Sequence, residues 1–273
     1  GGVGFFFLII EPLSKKVLKP REEDIFKIEV RDNSPKRLTI KTLLYSAVFA
    51  IPGMLIMSPL LIYLPLTVSG MMEMILFGMA FGILILLWRL GRKNDMSLFK
   101  IHAGIFKGGK EHVLRQVVLG LVLTVILYNI IYLSFGLNYI GWFPSIFSFP
   151  WIPIYLAIGL FIIAEFYLLF NTILQPKFKE GLAGVVKVGI IGGSCLCIYT
   201  CGTILLFCIL LESFFFTIFF HIAIPLTYLL AFVSALLYKK TGNIITGAIV
   251  STVILVMLLC TLAPYANYLM FLH

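Results

Sequence analysis

Two ionisable side chains that lie inside long apolar stretches of the sequence are the first candidates for chemistry. Glu165 is the only acid well inside such a stretch, and His221 is the only histidine inside one. Helical rise puts Glu165 about 20 Å and His221 about 10 Å from the outer end of its stretch. They are interpreted either as a buried proton-handling or metal-binding pair, or as residues that form interhelical hydrogen bonds. The second interpretation is favoured, because a metal site needs at least three protein ligands.

Other polar residues in these stretches give weaker signals. Asn129, Asn171 and Tyr199 are further polar candidates. The stretch around residue 200 carries four of the five cysteines, at spacings that match no CxxC zinc or redox motif. Small residues recur there every four positions, at Gly189, Gly193, Cys197 and Cys201. Such a stripe lets two helices approach closely, so it predicts helix packing. No cofactor or metal site is predicted.

The elements that carry these residues read as membrane helices. Hydrophobic residues make up 61% of the chain and charged residues only 12%, and mean hydropathy is +1.07. Soluble domains have about a quarter charged residues. The fold class predicted is all-α, a polytopic transmembrane helical bundle with seven complete spans: 42–63, 71–88, 117–137, 154–174, 188–211, 214–237 and 244–264. Residues 1–10 are interpreted as the end of a truncated first span, 11–41 as a polar connector and 42–273 as the transmembrane domain.

The 21 Lys and Arg residues predict the orientation of these spans. They fall in four clusters, at 15–41, 89–115, 177–187 and 239–240, while the intervening loops carry none. Basic loops stay on the cytoplasmic face, so residues 11–41 are predicted to be cytoplasmic and the C-terminus outside. Anionic lipid headgroups, rather than nucleic acid, are the expected counter-charge. The membrane is predicted to be the plasma membrane.

The second basic cluster also contains a possible short helix. Leu98, Ile101 and Ile105 recur at helical spacing beside Lys100, His102 and Lys107, before Gly108 and Gly109. This pattern fits an amphipathic helix on the membrane surface. An ordinary basic loop fits it equally well.

Residues from about 150 to 265 resemble the CPBP family, the intramembrane metal-dependent proteases that include the CAAX prenyl proteases. The run from Leu236 to Ile244 is similar to the family's tyrosine–basic–Thr-Gly turn. Glu165 falls where the family has a glutamate pair, and His221 falls near its second motif. The remaining catalytic positions differ: they are occupied by Ala164, Leu169, Thr217, Ser251 and Leu255. The resemblance therefore implies the architecture without the protease activity.

A second resemblance concerns the context of the chain. Multi-pass modules of this kind look like the C-terminal membrane half of prokaryotic proteins whose other half is an α/β-hydrolase-type domain. The function expected is a non-catalytic membrane module that anchors or regulates an attached or partner hydrolase-like domain outside the cytoplasm. One alternative is an intramembrane hydrolase that uses Glu165 and His221. Another is a small-molecule or lipid transporter, suggested by Glu165 and by Pro52 and Pro59 in the first complete span.

Overall fold

The computed structural model describes residues 27–28, 34–57, 68–134, 152–178, 181–211 and 215–270. Every regular element in these ranges is helical, in agreement with the predicted all-α class. In chain order the helices are α1 (Pro35–Met57), α2 (Val68–Lys93), α3 (Leu98–Ala103), α4 (Gly109–Ser134), α5 (Ile152–Tyr167), α6 (Leu182–Leu211), α7 (Phe215–Thr241) and α8 (Ile245–Met270). A 3₁₀ turn, Gly104–Phe106, follows α3.

Each predicted span overlaps a helix of the described residues, and α1 begins before the span that the sequence predicted. Proline is tolerated in the first helical turn, where its missing N–H has no partner to lose. Pro35 opens α1, and the Ser34 hydroxyl accepts a hydrogen bond from the Arg37 N–H at 3.3 Å. The helix passes through Pro52, while Pro59 lies outside the described residues. The last part of the polar connector is therefore helical.

Helix α5 continues into a wider segment that the sequence did not predict. Residues Leu168–Leu174 form a π-helix in which every side chain is buried, and a 3₁₀ turn, Gln175–Lys177, follows. A π-helix has i→i+5 hydrogen bonds, so its turns hold more residues than α turns. The Thr172 carbonyl accepts a bond from the Ile28 N–H at 3.1 Å. The connector thus returns to the bundle at this segment.

Close helix approaches define the packing of the bundle. Helix α1 packs along α2, α6 packs along α7, and α8 contacts α4, α5 and α7. Gly82 of α2 lies against the backbone of Tyr45 and Ser46 in α1, where a Cβ atom would find no space. The largest fully buried side chains, Tyr167, Phe166 and Phe170, come from α5 and its π extension. The centre of the bundle is therefore built around the helix that carries Glu165.

Helices α1 and α4 expose large apolar side chains and bury some of their polar ones. Helix α1 exposes Ile40, Leu44, Val48 and Leu55, whereas it buries Thr42 and Ser46. Helix α4 exposes Val118, Leu121, Val122 and Val125 and buries Gln116 and Thr124. Among the described side chains, two stretches are long and apolar enough to cross a bilayer, Gly109–Ile131 and Leu156–Lys177. Leu182–Cys197 and Ile245–Met257 are shorter apolar helices. The count of seven spans stays a prediction.

Candidate functional site

Glu165 contacts a histidine, but not the one that the sequence suggested. Its Oε1 lies 2.6 Å from Nε2 of His102, which belongs to α3 in the second basic cluster. The Glu165 side chain is 1% exposed and that of His102 is 31% exposed. His221 lies in α7, and its side chain is outside the described residues. Glu165 therefore has a partner in His102, and the possible contact between Glu165 and His221 stays a prediction.

A tight turn after α2 brings α3 back against the bundle. Asp95 has a positive φ of 55°, and the Met96 N–H donates to the Gly91 carbonyl at 2.8 Å. A Cβ atom on Gly91 would lie 2.6 Å from the Met96 carbonyl oxygen and 2.9 Å from Cδ1 of Ile101. Only glycine admits such a close return of the chain. The Ser97 hydroxyl caps α3 by accepting from the Lys100 N–H.

The predicted helix in the basic loop is present, and its apolar residues face the protein. Ile101 is buried, and Leu98 and Ile105 pack partly buried against the core. Phe99 and Phe106 point outward instead and are largely exposed. Gly108 and Gly109, both with positive φ, lie between the 3₁₀ turn and α4. The apolar stripe therefore binds α3 to the bundle, and His102 is carried inward with it.

The turn between α7 and α8 is hydrogen-bonded to the 3₁₀ turn that follows α3. Asn243 donates from its amide to the Ile105 carbonyl at 2.6 Å, and its Oδ1 accepts from the Ile245 N–H at 2.9 Å. Gly242 has a φ of 71°, a conformation that glycine adopts without strain. One asparagine thus caps α8 and ties the loop segment to the bundle.

Both ring nitrogens of His102 face hydrogen-bond acceptors. Nδ1 lies 2.9 Å from the Leu98 carbonyl oxygen, and Nε2 faces the Glu165 carboxyl. The hydrogen bond from Glu165 is the largest influence on the pKa of His102 and raises it above the usual 6.5; burial lowers it less. The charge of Glu165 and the Leu98 carbonyl raise the pKa further. The second oxygen of Glu165, Oε2, is buried without a hydrogen-bond partner among the described residues.

A row of polar side chains beyond Glu165 connects α5 and its extension to α7 and α8. Tyr167 shares a hydrogen bond of 2.6 Å with Ser251, and the Asn171 amide donates to Ser234 at 2.8 Å. The Gln175 amide donates to the Ala235 carbonyl at 3.1 Å. In an α-helix a fourth residue lies about 40° beyond a full turn. In the wider π turn it falls short of a full turn instead, and Tyr167, Asn171 and Gln175 all reach α7 or α8.

The row includes one of the positions at which the CPBP resemblance expected a catalytic residue. Ser251, which stands where the CPBP resemblance expects a histidine, is buried and bonded to Tyr167. Leu255 is partly buried against the core, and the side chain of Thr217 lies outside the described residues. Within the described ranges no group of three or more His, Cys, Asp or Glu side chains is placed to hold a metal ion. The polar residues brought together there are hydrogen-bonding pairs.

The predicted small-residue stripe lies at the contact between α6 and α7. A Cβ atom on Gly189 would meet Cα of Phe232 at 3.0 Å, and one on Gly193 would meet Cα of Tyr228 at 2.9 Å. Cys197 is partly buried, and the side chain of Cys201 lies outside the described residues. The two glycines therefore confirm a close approach of the helices, as predicted from their spacing.

Several residues of the site gave only indirect signals in the sequence. His102 was noted as part of an amphipathic pattern, but nothing local showed that it would face an acid 63 residues away. Asn171 was a polar candidate, whereas Tyr167, Ser234 and Asn243 were not. Asn129 donates to the Val125 carbonyl of its own helix. Polar residues at a spacing of four, at 167, 171 and 175, are the signal in the sequence that could have pointed to the row.

Comparison with known proteins adds no relative: no family model, curated protein or solved structure matches this chain.

Proposed function

We propose that this chain is a multi-pass membrane module with seven complete spans that anchors and positions an attached or partner domain without catalysis of its own. The observation that carries the membrane assignment is the polarity of its helices. Large apolar side chains of α1 and α4 are exposed, while Thr42, Ser46, Gln116 and Thr124 of the same helices are buried. Water would penalise a large continuous apolar surface, whereas hydrocarbon is a matching solvent for it.

The non-catalytic part of the proposal is supported by how the buried polar groups are used. Tyr167 bonds Ser251, Asn171 bonds Ser234, and the Thr246 hydroxyl donates to the Gln116 carbonyl at 3.1 Å. Each contact joins two different helices. Interhelical hydrogen bonds of this kind fix the arrangement of helices in a membrane. Side chains occupied in this way serve the architecture of the bundle, as an anchor requires.

The orientation follows from the positive-inside rule, and the membrane is taken to be the plasma membrane. Basic clusters flank the ends of the proposed spans, so the loops of α2–α4 and α7–α8 lie in the cytoplasm and the C-terminus outside. Anionic headgroups of the cytoplasmic leaflet are the counter-charge for these clusters. The partner domain is then attached or bound on the outer side.

A labelling experiment tests this layout. Single cysteines replace Lys239 in the α7–α8 turn and Asn138 in the proposed outer loop, and intact cells are treated with a membrane-impermeant thiol reagent. We expect Asn138→Cys to be labelled from outside and Lys239→Cys to react only after the membrane is opened. The untouched chain, with its native cysteines, is the control. Labelling of Lys239→Cys in intact cells, or protection of Asn138→Cys, would contradict the proposed orientation.

Metal analysis tests the absence of catalysis separately. Purified protein in lipid nanodiscs is dialysed against trace zinc and analysed for bound metal. We expect less than one zinc per chain. Stoichiometric zinc that is lost in Glu165→Gln would instead identify a metal-dependent hydrolase and overturn the anchoring role.

A further inference from the structure

The contact between His102 and Glu165 requires a proton between its two facing atoms. Nδ1 of His102 faces the Leu98 carbonyl at 2.9 Å, so the hydrogen of a neutral ring would have to stay on Nδ1. Nε2 would then turn a lone pair towards Oε1 of Glu165 at 2.6 Å. Two acceptors do not hold each other at that distance. Either an imidazolium faces a carboxylate or an imidazole faces a carboxylic acid, and both forms contain one proton at this contact.

The two partners differ in their access to solvent. His102 keeps about a third of its side chain exposed, and Glu165 is fully enclosed. A proton therefore arrives and leaves through the imidazole. Because Oε2 of Glu165 has no partner in the described part of the chain, His102 supplies the hydrogen bond that stabilises the carboxyl group there. Buried charges that lose their partner are costly, so removal of the proton weakens the contact.

We propose that His102 and Glu165 form a proton-binding site, filled from the solvent on the basic-loop side, whose occupancy determines whether α3 is bound to α5. The proton comes from water at the loop surface and returns there, so an N–H or O–H bond of the pair forms as one in water breaks, and no bond between heavy atoms changes. This proposal goes beyond the anchoring role, because it gives the module a ligand and a movable segment.

The charged groups around the site leave Glu165 as its main electrostatic partner. On α2, Arg89 donates to the Tyr45 hydroxyl and Arg92 lies over the Trp88 ring. Glu165 is the charged residue that raises the pKa of His102. Among the described side chains, the other charged groups and histidines of the adjoining segments are Lys93 and Asp95 before α3, Lys100 and Lys107 beside it, Lys110, Glu111, His112 and Arg115 in α4, and Lys239 and Lys240 at the end of α7.

The direction of the pH dependence follows from the raised pKa of His102. A histidine whose pKa is higher in the bound state contributes stability that is complete below its ordinary value of 6.5. That contribution is lost as the pH rises through the raised pKa. Alkaline conditions should therefore release α3, while its tie to Asn243 remains, because the asparagine amide does not titrate.

Hydrogen exchange and ¹⁵N NMR of the intact chain in nanodiscs test the site. We expect amide protection of residues 98–106, corrected for the pH dependence of chemical exchange, to fall about tenfold or more as His102 deprotonates. That is the change expected for loss of one charge-assisted hydrogen bond. In His102→Gln the protection should no longer depend on pH. His112→Gln is the matched control and should keep the wild-type dependence.

The NMR titration decides whether Glu165 is the partner. The ¹⁵N signals of the His102 ring should show a midpoint above the ordinary histidine value in the wild type and a lower one in Glu165→Gln. Equal midpoints in the two proteins would overturn the proposal, as would a pH dependence of protection that persists in His102→Gln. If Glu165→Gln does not fold, the exchange profile of His102→Gln decides alone. Neither result depends on the topology labelling or the zinc content, so the anchoring role is judged separately.

Discussion

The α6–α7 interface and the contact between α3 and α5 join elements of the same bundle through different chemistry. Between α6 and α7, glycines remove side chains so that Gly193 meets the backbone of Tyr228. Between α3 and α5, two ionisable side chains meet over a distance of 2.6 Å. The first contact depends on the absence of side-chain atoms at the glycines. The second depends on a proton, so the same bundle contains one permanent joint and one that responds to pH.

The largest expected loss of stability comes from adding one methyl group at the close contact between α6 and α7. In Gly193→Ala the new Cβ would lie 2.9 Å from Cα of Tyr228, so the helices must separate. We expect a loss of about 1–3 kcal/mol in the free energy of unfolding, typical of overpacking. Steric-trap unfolding in lipid measures it.

Gly192→Ala is the matched control for this change. A Cβ there meets its nearest neighbours at 3.7 Å, which is ordinary contact. Alanine also favours the helix over glycine by about 1 kcal/mol, so stability should stay constant or rise. If the two substitutions had equal effects, close approach at Gly193 would not be the basis of the α6–α7 contact.

A smaller loss of stability is expected when Asn243 is replaced. Its hydrogen bonds attach the α3 segment to the bundle, and its side chain does not titrate. Asn243→Ala removes the bond to the Ile105 carbonyl and the cap of α8. We expect a loss of about 1–2 kcal/mol in the free energy of unfolding, as for other N-cap asparagines. Thermal unfolding in nanodiscs measures it, and the loss should be the same at acid and alkaline pH.

Asn129→Ala serves as the comparison, because the amide of Asn129 donates to the Val125 carbonyl of its own helix. Its cost should be a few tenths of a kcal/mol at most, as for other surface substitutions. A pH-dependent loss in Asn243→Ala would show that the two attachments of α3 are not independent.

The smallest effect distinguishes the inner and outer faces of α6. Val188 is 1% exposed and Ile190 is 53% exposed, although they are separated by one residue. Val188→Ala should cost about 1 kcal/mol through the cavity it leaves. Ile190→Ala should change stability by no more than about 0.5 kcal/mol, because its side chain faces outward. Unfolding of the two variants in the same lipid measures the difference, and a larger loss at Ile190 would reverse the assigned faces.

The sequence predicted best what depends on one helix alone. Composition and apolar runs indicated an all-α bundle, and the spacing of Gly189 and Gly193 predicted a helix contact that the structure confirms. Both signals are periodic and local. The early start of α1 at Pro35 was missed because polar residues there mask the helix, although Ser34 and Pro35 together are a helix-start signal.

The partner of Glu165 could not be predicted in the same way. It depends on the positive φ of Asp95 and on the space left by Gly91, which together return α3 to the bundle. Counting depth along the apolar stretches considered only residues inside them, so it left out side chains such as His102 that arrive from a loop. Pairings between elements distant in sequence need the tertiary arrangement, which periodicity does not contain.

In the π segment that follows Glu165, the number of residues matters more for the structure than the identity of any one side chain. Insertion of one further residue into 168–171 would turn everything downstream by about 100° relative to the present register, because each residue of a helix turns the chain by that angle. Gln175 would then lose Ala235, and the Thr172 carbonyl would no longer face Ile28. Substitutions within the segment leave that spacing intact, so insertions are the changes this helix tolerates least.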